Sequence, residues 1–315
     1  MILIADSGST KTAWCLVEDP KHVIYTQGLN PFQQNEEEIC AILHHELLPQ
    51  LSTLNFGFAE DAHARHSSNK HDLCTHSIAS FNFQFSTLNF QLSTLNFYGA
   101  GCTPEKAPIV ACALRQVIGA TATIHVESDM LGAARSVCQH QPGIVCILGT
   151  GSNSCYYDGR TLHAGNPALG YILGDEGSGA YIGKRLVGDI LKKQLPEDVQ
   201  KLFFEETHET QANIIQRVYR SPLPNRYLAS LSPFCARHRE HPAIHAFLLD
   251  CFGQFFQRNI QAAPWSQEAS QLSIHFVGSI AHYYRSELSE AAKLHGYTIG
   301  NIVQSPLEGL VQYHQ

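Results

Sequence analysis

Two short segments about 140 residues apart share one build, and together they constrain the chain more than anything else in it. The first is Ile2-Leu3-Ile4-Ala5-Asp6-Ser7-Gly8-Ser9-Thr10-Lys11-Thr12, continued by the apolar residues 13–17. The second is Ile144-Val145-Cys146-Ile147-Leu148-Gly149-Thr150-Gly151-Ser152-Asn153, continued by Ser154-Cys155-Tyr156-Tyr157. Each pattern predicts a buried strand, a tight turn of glycine and hydroxyl residues, and a second strand. Glycine lets the backbone reach positive φ and approach a ligand, while successive N–H groups and hydroxyls form a concavity for anions. Two such turns facing each other would hold a polyphosphate from both sides. The pair therefore reads as a nucleotide site, with Ser9, Thr10, Lys11, Gly149, Thr150 and Gly151 as candidate phosphate ligands.

A Walker-type phosphate loop is excluded by spacing. That loop needs glycine directly before its lysine and a helix after it. Here Lys11 follows Thr10, and the strand pattern continues. An ordinary hairpin with Gly-Ser in its turn would explain one of these segments, but explains a matched pair poorly.

A length of 315 residues predicts about two domains, each with a substantial core. The expected division is 1–118 and 119–315, the first interrupted by an insert at about 51–96. Apolar residues make up 44% and charged residues 16%, which fits a globular chain. A net charge of −7 gives no basic footprint for nucleic acid. The apolar runs are far too short to cross a bilayer, and no basic segment precedes the first of them, so a cytoplasmic location is expected. The ten cysteines are scattered without a Cys-x-x-Cys pair, and Cys15, Cys146 and Cys155 sit in apolar strands as small core residues do.

The insert stands apart in composition. Gln50-Leu51-Ser52-Thr53-Leu54-Asn55-Phe56 recurs at 84–90, with Phe85 for leucine, and again at 91–97. Two tandem heptads are too few for a coiled coil, Ser, Thr, Asn and Phe form helices poorly, and solenoid repeats are longer. The polar tract between the copies holds His63, His66, His71, Cys74 and His76, whose spacing matches no metal-ligand pattern. It reads as a low-complexity expansion outside the catalytic apparatus.

With the insert set aside, the pattern predicts strands near 2–6, 13–17 and 23–27 and a helix over 36–48 capped by Asn35. A short strand then runs into Tyr98-Gly99-Ala100-Gly101, followed by a helix over 105–118, a strand over 123–126 and a helix over 130–137. The second hairpin leads into a mostly helical stretch, closed by a strand at 273–277 and a helix from 280. This is an α/β pattern with an antiparallel start, present twice.

Several side chains could carry chemistry. Asp6 ends the first strand just before the phosphate-type turn, where a carboxylate can hold Mg²⁺ opposite the β- and γ-phosphates or simply cap the turn. Asp129 lies where a strand gives way to a helix, as either an N-cap or a general base toward a substrate hydroxyl. The stretch Gly165 through Ala180 carries two adjacent acids, Asp175 and Glu176, between glycines ahead of a helix, a pattern suited to binding a polyol. Gly278 and Ser279 follow Val277 and would let the backbone approach a flat base or ribose.

Taken in order, Asp6-Ser7-Gly8-Ser9-Thr10-Lys11-Thr12, Asn30-Pro31, Ser128-Asp129, Gly149-Thr150-Gly151-Ser152-Asn153, Gly174-Asp175-Glu176-Gly177-Ser178 and Val277-Gly278-Ser279 resemble the N-acetylglucosamine kinase family. That family is related to the ATPase activators of benzoyl-CoA reductase, within the superfamily of sugar kinases, actin and heat-shock chaperones. The resemblance implies an α/β fold of two ribonuclease-H-like, actin-like ATPase domains closing on ATP, Mg²⁺ and a sugar. It implies that Thr10 and Thr150 contact phosphates and that Gly278 and Ser279 lie near the adenosine. It further implies that Asn30, Asp129, Ser152, Asn153, Gly170 and Asp175 hold an amino sugar, with Asp129 as base toward its 6-hydroxyl, in what is expected to be a homodimer. Departing from the pattern, residues 166–170 lack the tryptophan of animal relatives. A second reading, an ATPase activator of a redox partner, would need thiolates grouped for an iron–sulfur cluster, which the scattered cysteines do not provide. A third, a nucleotide-dependent sugar sensor, would need no base at Asp129.

Overall fold

A computed structural model of the chain describes residues 1–8, 10–54, 91–119 and 121–315. Ser9 and most of the repeat insert, with its His- and Cys-bearing tract, lie outside the described residues. The strands are β1 (Ile2–Ser7), β2 (Lys11–Leu16), β3 (Asp19–Gln27), β4 (Thr94–Gly99), β5 (Thr123–Ser128), β6 (Gly143–Leu148), β7 (Ser152–Tyr157), β8 (Leu162–Ala164), β9 (Ile274–Val277) and β10 (Ile299–Val303). They form two five-stranded sheets, ordered β3-β2-β1-β4-β5 and β10-β9-β6-β7-β8.

The two sheets are the same sheet built twice. In each, the first three strands form an antiparallel meander and the last two add in parallel on the other side of the first. The parallel additions need crossover helices, supplied by the segment 36–52 and Ala107–Ile118 in the first half and by the long helical stretch after Ser178 and then Ser279–Tyr283 and Arg285–Leu294 in the second. The expected α/β architecture with a repeated antiparallel start is the observed one.

Local sequence explains most elements. Asn35 and Glu38 form a reciprocal capping box, with Asn35 Oδ1 accepting from Glu38 N at 2.9 Å and Glu38 Oε2 from Asn35 N at 2.8 Å. The helix expected over 36–48 runs on to Ser52 through a π-turn at Leu43–Leu47. Ile39, Leu43, Leu47 and Leu51 recur every four residues, all fully buried, and the wider turn keeps that stripe on one face.

Two expectations are corrected by pairing. The insert expected to reach 96 stops short of β4, because repeat residues 94–97 build that strand, pairing with β1 on one side and β5 on the other. Leu92, Leu95 and Phe97 are core residues, each stabilising by about 2 kcal/mol on burial. The division expected after residue 118 also falls before β5, which belongs to the first sheet. Beyond it, helix Asp129–Cys138 packs against β6 and β7, while the C-terminal helix Leu307–Tyr313 returns to β1 and β2 of the first sheet. Among the described residues, no helix is long and apolar enough to cross a membrane.

Candidate functional site

Both matched hairpins fold as expected, and each turn is fixed by backbone hydrogen bonds. In the first, Gly8 N donates to Lys11 O at 3.0 Å, and Gly28 N donates to Thr10 O at 3.1 Å. A Cβ on Gly28 would lie 2.5 Å from Gly8 O, so only glycine lets the following loop lie against the turn. In the second, Gly149 N donates to Gly151 O at 3.0 Å. Gly179 N and Ala180 N, at the start of helix Gly179–Leu191, donate to Gly149 O and Thr150 O at 2.9 and 3.1 Å. Gly278 holds φ +124°, and a Cβ there would collide with the carbonyl of Leu148 at the end of β6.

These turns meet around two cavities. The larger, of about 680 Å³, is lined at one end by Thr10, Gly149, Thr150 and Ser279. The smaller, of about 170 Å³, is lined by Ser152, Asn153, Asp175 and Glu176, together with residues 166–169, Arg258 and Asn259. The turn between β6 and β7 therefore separates the two, with Thr150 on one side and Ser152 on the other.

Two carboxylates of the first half lie close enough to feel each other. Asp6 belongs to β1, while Asp129 opens the helix after β5, whose N-cap is Ser128 through a 3.2 Å bond from Leu131 N. The cap role considered for Asp129 thus falls to its neighbour, and Asp129 Oδ1 accepts from Met130 N at 2.9 Å. Burial first, and then the negative charge of Asp129, push Asp6 up to about 7, while a hydrogen bond with Ser305 and the charge of Lys11 pull the other way. Burial also raises Asp129 against its backbone hydrogen bonds. The Asp6 carboxylate, with the Ser305 hydroxyl beside it, offers hard oxygen atoms of the kind Mg²⁺ takes. Among the described residues no group of three or more His, Cys, Asp or Glu is arranged for a metal, so Asp6 could hold such an ion only with water and phosphate oxygens.

The smaller cavity is built on strain and on a buried acid paired with an exposed arginine. Asp175 has φ +57°, a left-handed conformation that a non-glycine residue adopts at a cost of about 1–3 kcal/mol. A Cβ on Gly151 would lie 3.0 Å from Asp175 Oδ2, so the carboxylate is packed against the second turn, and burial raises its pKa. Glu176, buried, accepts from Arg258 Nη1 at 3.0 Å and from Asn259 Nδ2 at 3.3 Å. Asn166 Nδ2 donates to Arg258 O at 2.6 Å, tying residues 166–169 to the same wall. Lys184 Nζ donates to Tyr171 O at 2.6 Å, holding the short helix Gly170–Leu173 in place.

Thr10, Gly149, Thr150 and Ser279 thus gather at the larger cavity, and Ser152, Asn153 and Asp175 at the smaller. Gly151 and Gly278 shape the adjoining backbone. The Lys11 ammonium lies 4.6 Å from the centre of the Tyr25 ring, and its charge also acts on Asp6. Asn30 uses its Oδ1 within its own loop, accepting from Phe32 N at 2.9 Å, and does not line either cavity. Gly170 is likewise outside the lining, beginning at φ +72° the short helix whose Leu173 is part of it. Arg258, Asn259 and Ser305 were missed from sequence. The first two project from a π-turn, Phe256–Gln261, and the only signal for them is a buried acid at Glu176 that requires a partner.

No family model matches the chain. A candidate N-acetylglucosamine kinase from Porphyromonas gingivalis is 42% identical, with 100% of this chain and 98% of that one covered at a TM-score of 0.83. A candidate N-acetylglucosamine kinase from Chromobacterium violaceum has the same fold at 16% identity, with 100% and 98% covered and a TM-score of 0.67. The N-acetylmuramic acid/N-acetylglucosamine kinase of Clostridium acetobutylicum is 32% identical over 145 residues, which is 42% of this chain and 45% of that protein, so the match spans less than half the relative's length. The duplicated sheet, the paired turns and an identity of 42% across nearly all of both chains establish that this protein belongs to the N-acetylglucosamine kinase family, with the actin-like ATPase fold.

Proposed function

We propose that the protein transfers the γ-phosphoryl group of ATP to N-acetylglucosamine or a closely related amino sugar, with the 6-hydroxyl as acceptor. The observation that carries this reading is the β6–β7 turn, which has a phosphate-type cavity on its Thr150 side and a small polar cavity on its Ser152 side. A donor phosphate and an acceptor hydroxyl bound on either side of one turn would be held within reacting distance.

In this reading Thr10, Gly149 and Thr150 bind the phosphates, and Ser279 lies toward the nucleoside. Ser152, Asn153 and Asp175 hold sugar hydroxyls. Asp129 takes the proton of the attacking hydroxyl, and its raised pKa brings its basicity nearer to neutral pH, where a general base works best. Asp6 would hold Mg²⁺ with water and phosphate oxygens. Bound there, the ion would neutralise charge that develops on the transferring phosphoryl group.

The test is ADP release by the purified protein with ATP and Mg²⁺, across N-acetylglucosamine, glucosamine, N-acetylmuramic acid, glucose and no sugar. Turnover on an amino sugar that disappears in Asp129→Asn supports the reading, and mass spectrometry or NMR of the product locates the phosphate. ADP release that ignores the sugar, or a folded protein that releases none, rejects it.

A further inference from the structure

One wall of the smaller cavity is weakly built, and a cation from outside the cavity ties it down. Residues 166–169, Leu173 and Gly174 form that wall. Its middle is the helix Gly170–Leu173, a single turn with no buried residue and no side-chain cap. So short a helix does not stand by itself, because its nucleus fixes several dihedrals for one hydrogen bond. Here that bond runs from Gly174 N to Gly170 O at 2.8 Å. Apolar burial anchors the turn poorly: Leu169, Ile172 and Leu173 are 54%, 69% and 69% exposed, while the Tyr171 ring leans on the core of the second half. Gly170 at its head has φ +72°, with open space where a Cβ would be.

Lys184 reaches this turn from helix Gly179–Leu191. Its Nζ donates to Tyr171 O at 2.6 Å and to Ile172 O at 3.5 Å. A cation at the carbonyl end of a turn satisfies acceptors that have no helical donor, and it meets the negative end of the peptide dipoles. Burial lowers the pKa of Lys184, while the charges of Glu176 and Asp175, both on the cavity, hold it up. Lys184 itself lines neither cavity. The helix that carries it begins against the carbonyls of Gly149 and Thr150, so Lys184 fastens the weak wall to the element that backs the second phosphate-type turn.

We infer that residues 166–174 are a lid on the acceptor cavity and that Lys184 is its positioning residue, setting the affinity for the sugar without touching it. The inference rests on the kinase reading for assigning that cavity to the sugar. The lid opens about Gly170 when the ammonium leaves the two carbonyls, and it stays shut when the ammonium holds them.

Hydrogen exchange and isothermal titration of the full chain test this, with the same panel of sugars and with ADP, in the wild type, Lys184→Met and Lys184→Arg. Methionine keeps an unbranched stem without the cation, and arginine keeps the cation. Amides of residues 170–174 are expected to exchange about tenfold faster in Lys184→Met, while those of β6 and helix Gly179–Leu191 keep their rates. Sugar affinity should fall about tenfold in Lys184→Met and no more than about threefold in Lys184→Arg, the order of a hydrogen bond to a charged group, with ADP affinity unchanged. In turnover the same loss appears in KM for the sugar and not in kcat. Unchanged lid exchange or unchanged sugar affinity in Lys184→Met overturns the inference. Faster exchange that spreads through the second sheet, or a matching loss of ADP affinity, overturns it too, because Lys184 would then hold the fold. So does a wild type in which no sugar of the panel binds or slows exchange at 170–174. A lid that answers to a bound sugar which ATP never phosphorylates would sink the kinase reading and leave this one standing.

Discussion

Asp6 and Asp129 belong to different elements, yet the charge of Asp129 adds to burial in pushing Asp6 up to about 7. In the ligand-free protein this is an electrostatic conflict that a cation would relieve. The pair is thus a stability liability that, in the proposed function, serves to bind the cation, and the two roles are separable by pH.

The stability consequence has a definite sign. Asp6 binds its proton more tightly folded than unfolded, so its contribution is fully favourable below the ordinary carboxylate range and is lost as pH rises through about 7. The ligand-free protein is expected to lose up to about 4 kcal/mol of unfolding free energy from this group between pH 4 and 8. Asp6→Asn should flatten that part of the profile and be the more stable protein at pH 8. Urea titrations of both proteins at pH 5 and pH 8 check it; parallel pH dependences would remove Asp6 as the cause.

Asp129→Asn keeps the shape of the side chain and the Ser128 cap but removes the carboxylate proposed as the base. A fall in kcat of about 10²–10⁴ is expected, with KM for the sugar changed little. Steady-state kinetics decide between this and a binding role, which would raise KM instead.

Glu176 and Arg258 form the ion pair that shapes the wall of the smaller cavity. Glu176→Gln should raise KM for the sugar by about tenfold, the equivalent of one weakened hydrogen-bonding arrangement, without altering nucleotide affinity. Isothermal titration of nucleotide and sugar separately reads the two effects. A parallel loss of both would mean that the variant disturbs the fold instead.

Gly278 combines φ +124° with close contact to the carbonyl of Leu148. Gly278→Ala is expected to cost about 1–3 kcal/mol or more, and to weaken nucleotide binding because Ser279 moves with the backbone. Thermal unfolding with and without ATP measures both, and an unchanged Tm would contradict the strain argument.

What could be read from the sequence was what is encoded locally. The hairpins announce themselves through apolar runs around Gly8 and Gly149, and the helix at Glu36 through the Asn35–Glu38 box. The sheet order was not encoded that way, since β5 joins β4 through parallel pairing across an intervening helix. Arg258 and Asn259 were hidden for a related reason: they reach Glu176 across more than 80 residues from a π-turn that leaves no periodic signature. Ser305 meets Asp6 only because the chain's end returns to the first sheet.

The strand β4 draws on a sequence that occurs more than once. Residues 53–56, 87–90 and 94–97 are all Thr-Leu-Asn-Phe, so the first four positions of the strand cannot distinguish one copy from another. What differs is the two positions that follow, Tyr98-Gly99 after the copy in the strand, Gln91-Leu92 after the copy at 87–90 and Gly57-Phe58 after the copy at 53–56. Tyr98 donates to His314 Nε2 or accepts from it at 2.8 Å and accepts from Arg135 Nη1 at 2.8 Å, and a Cβ on Gly99 would lie 2.5 Å from the Phe97 ring. Glutamine cannot reproduce the first environment, nor leucine fit the second. A folding ambiguity written into the middle of the chain is thereby resolved at the strand's end, where Tyr98 bonds to a histidine 216 residues further along the chain.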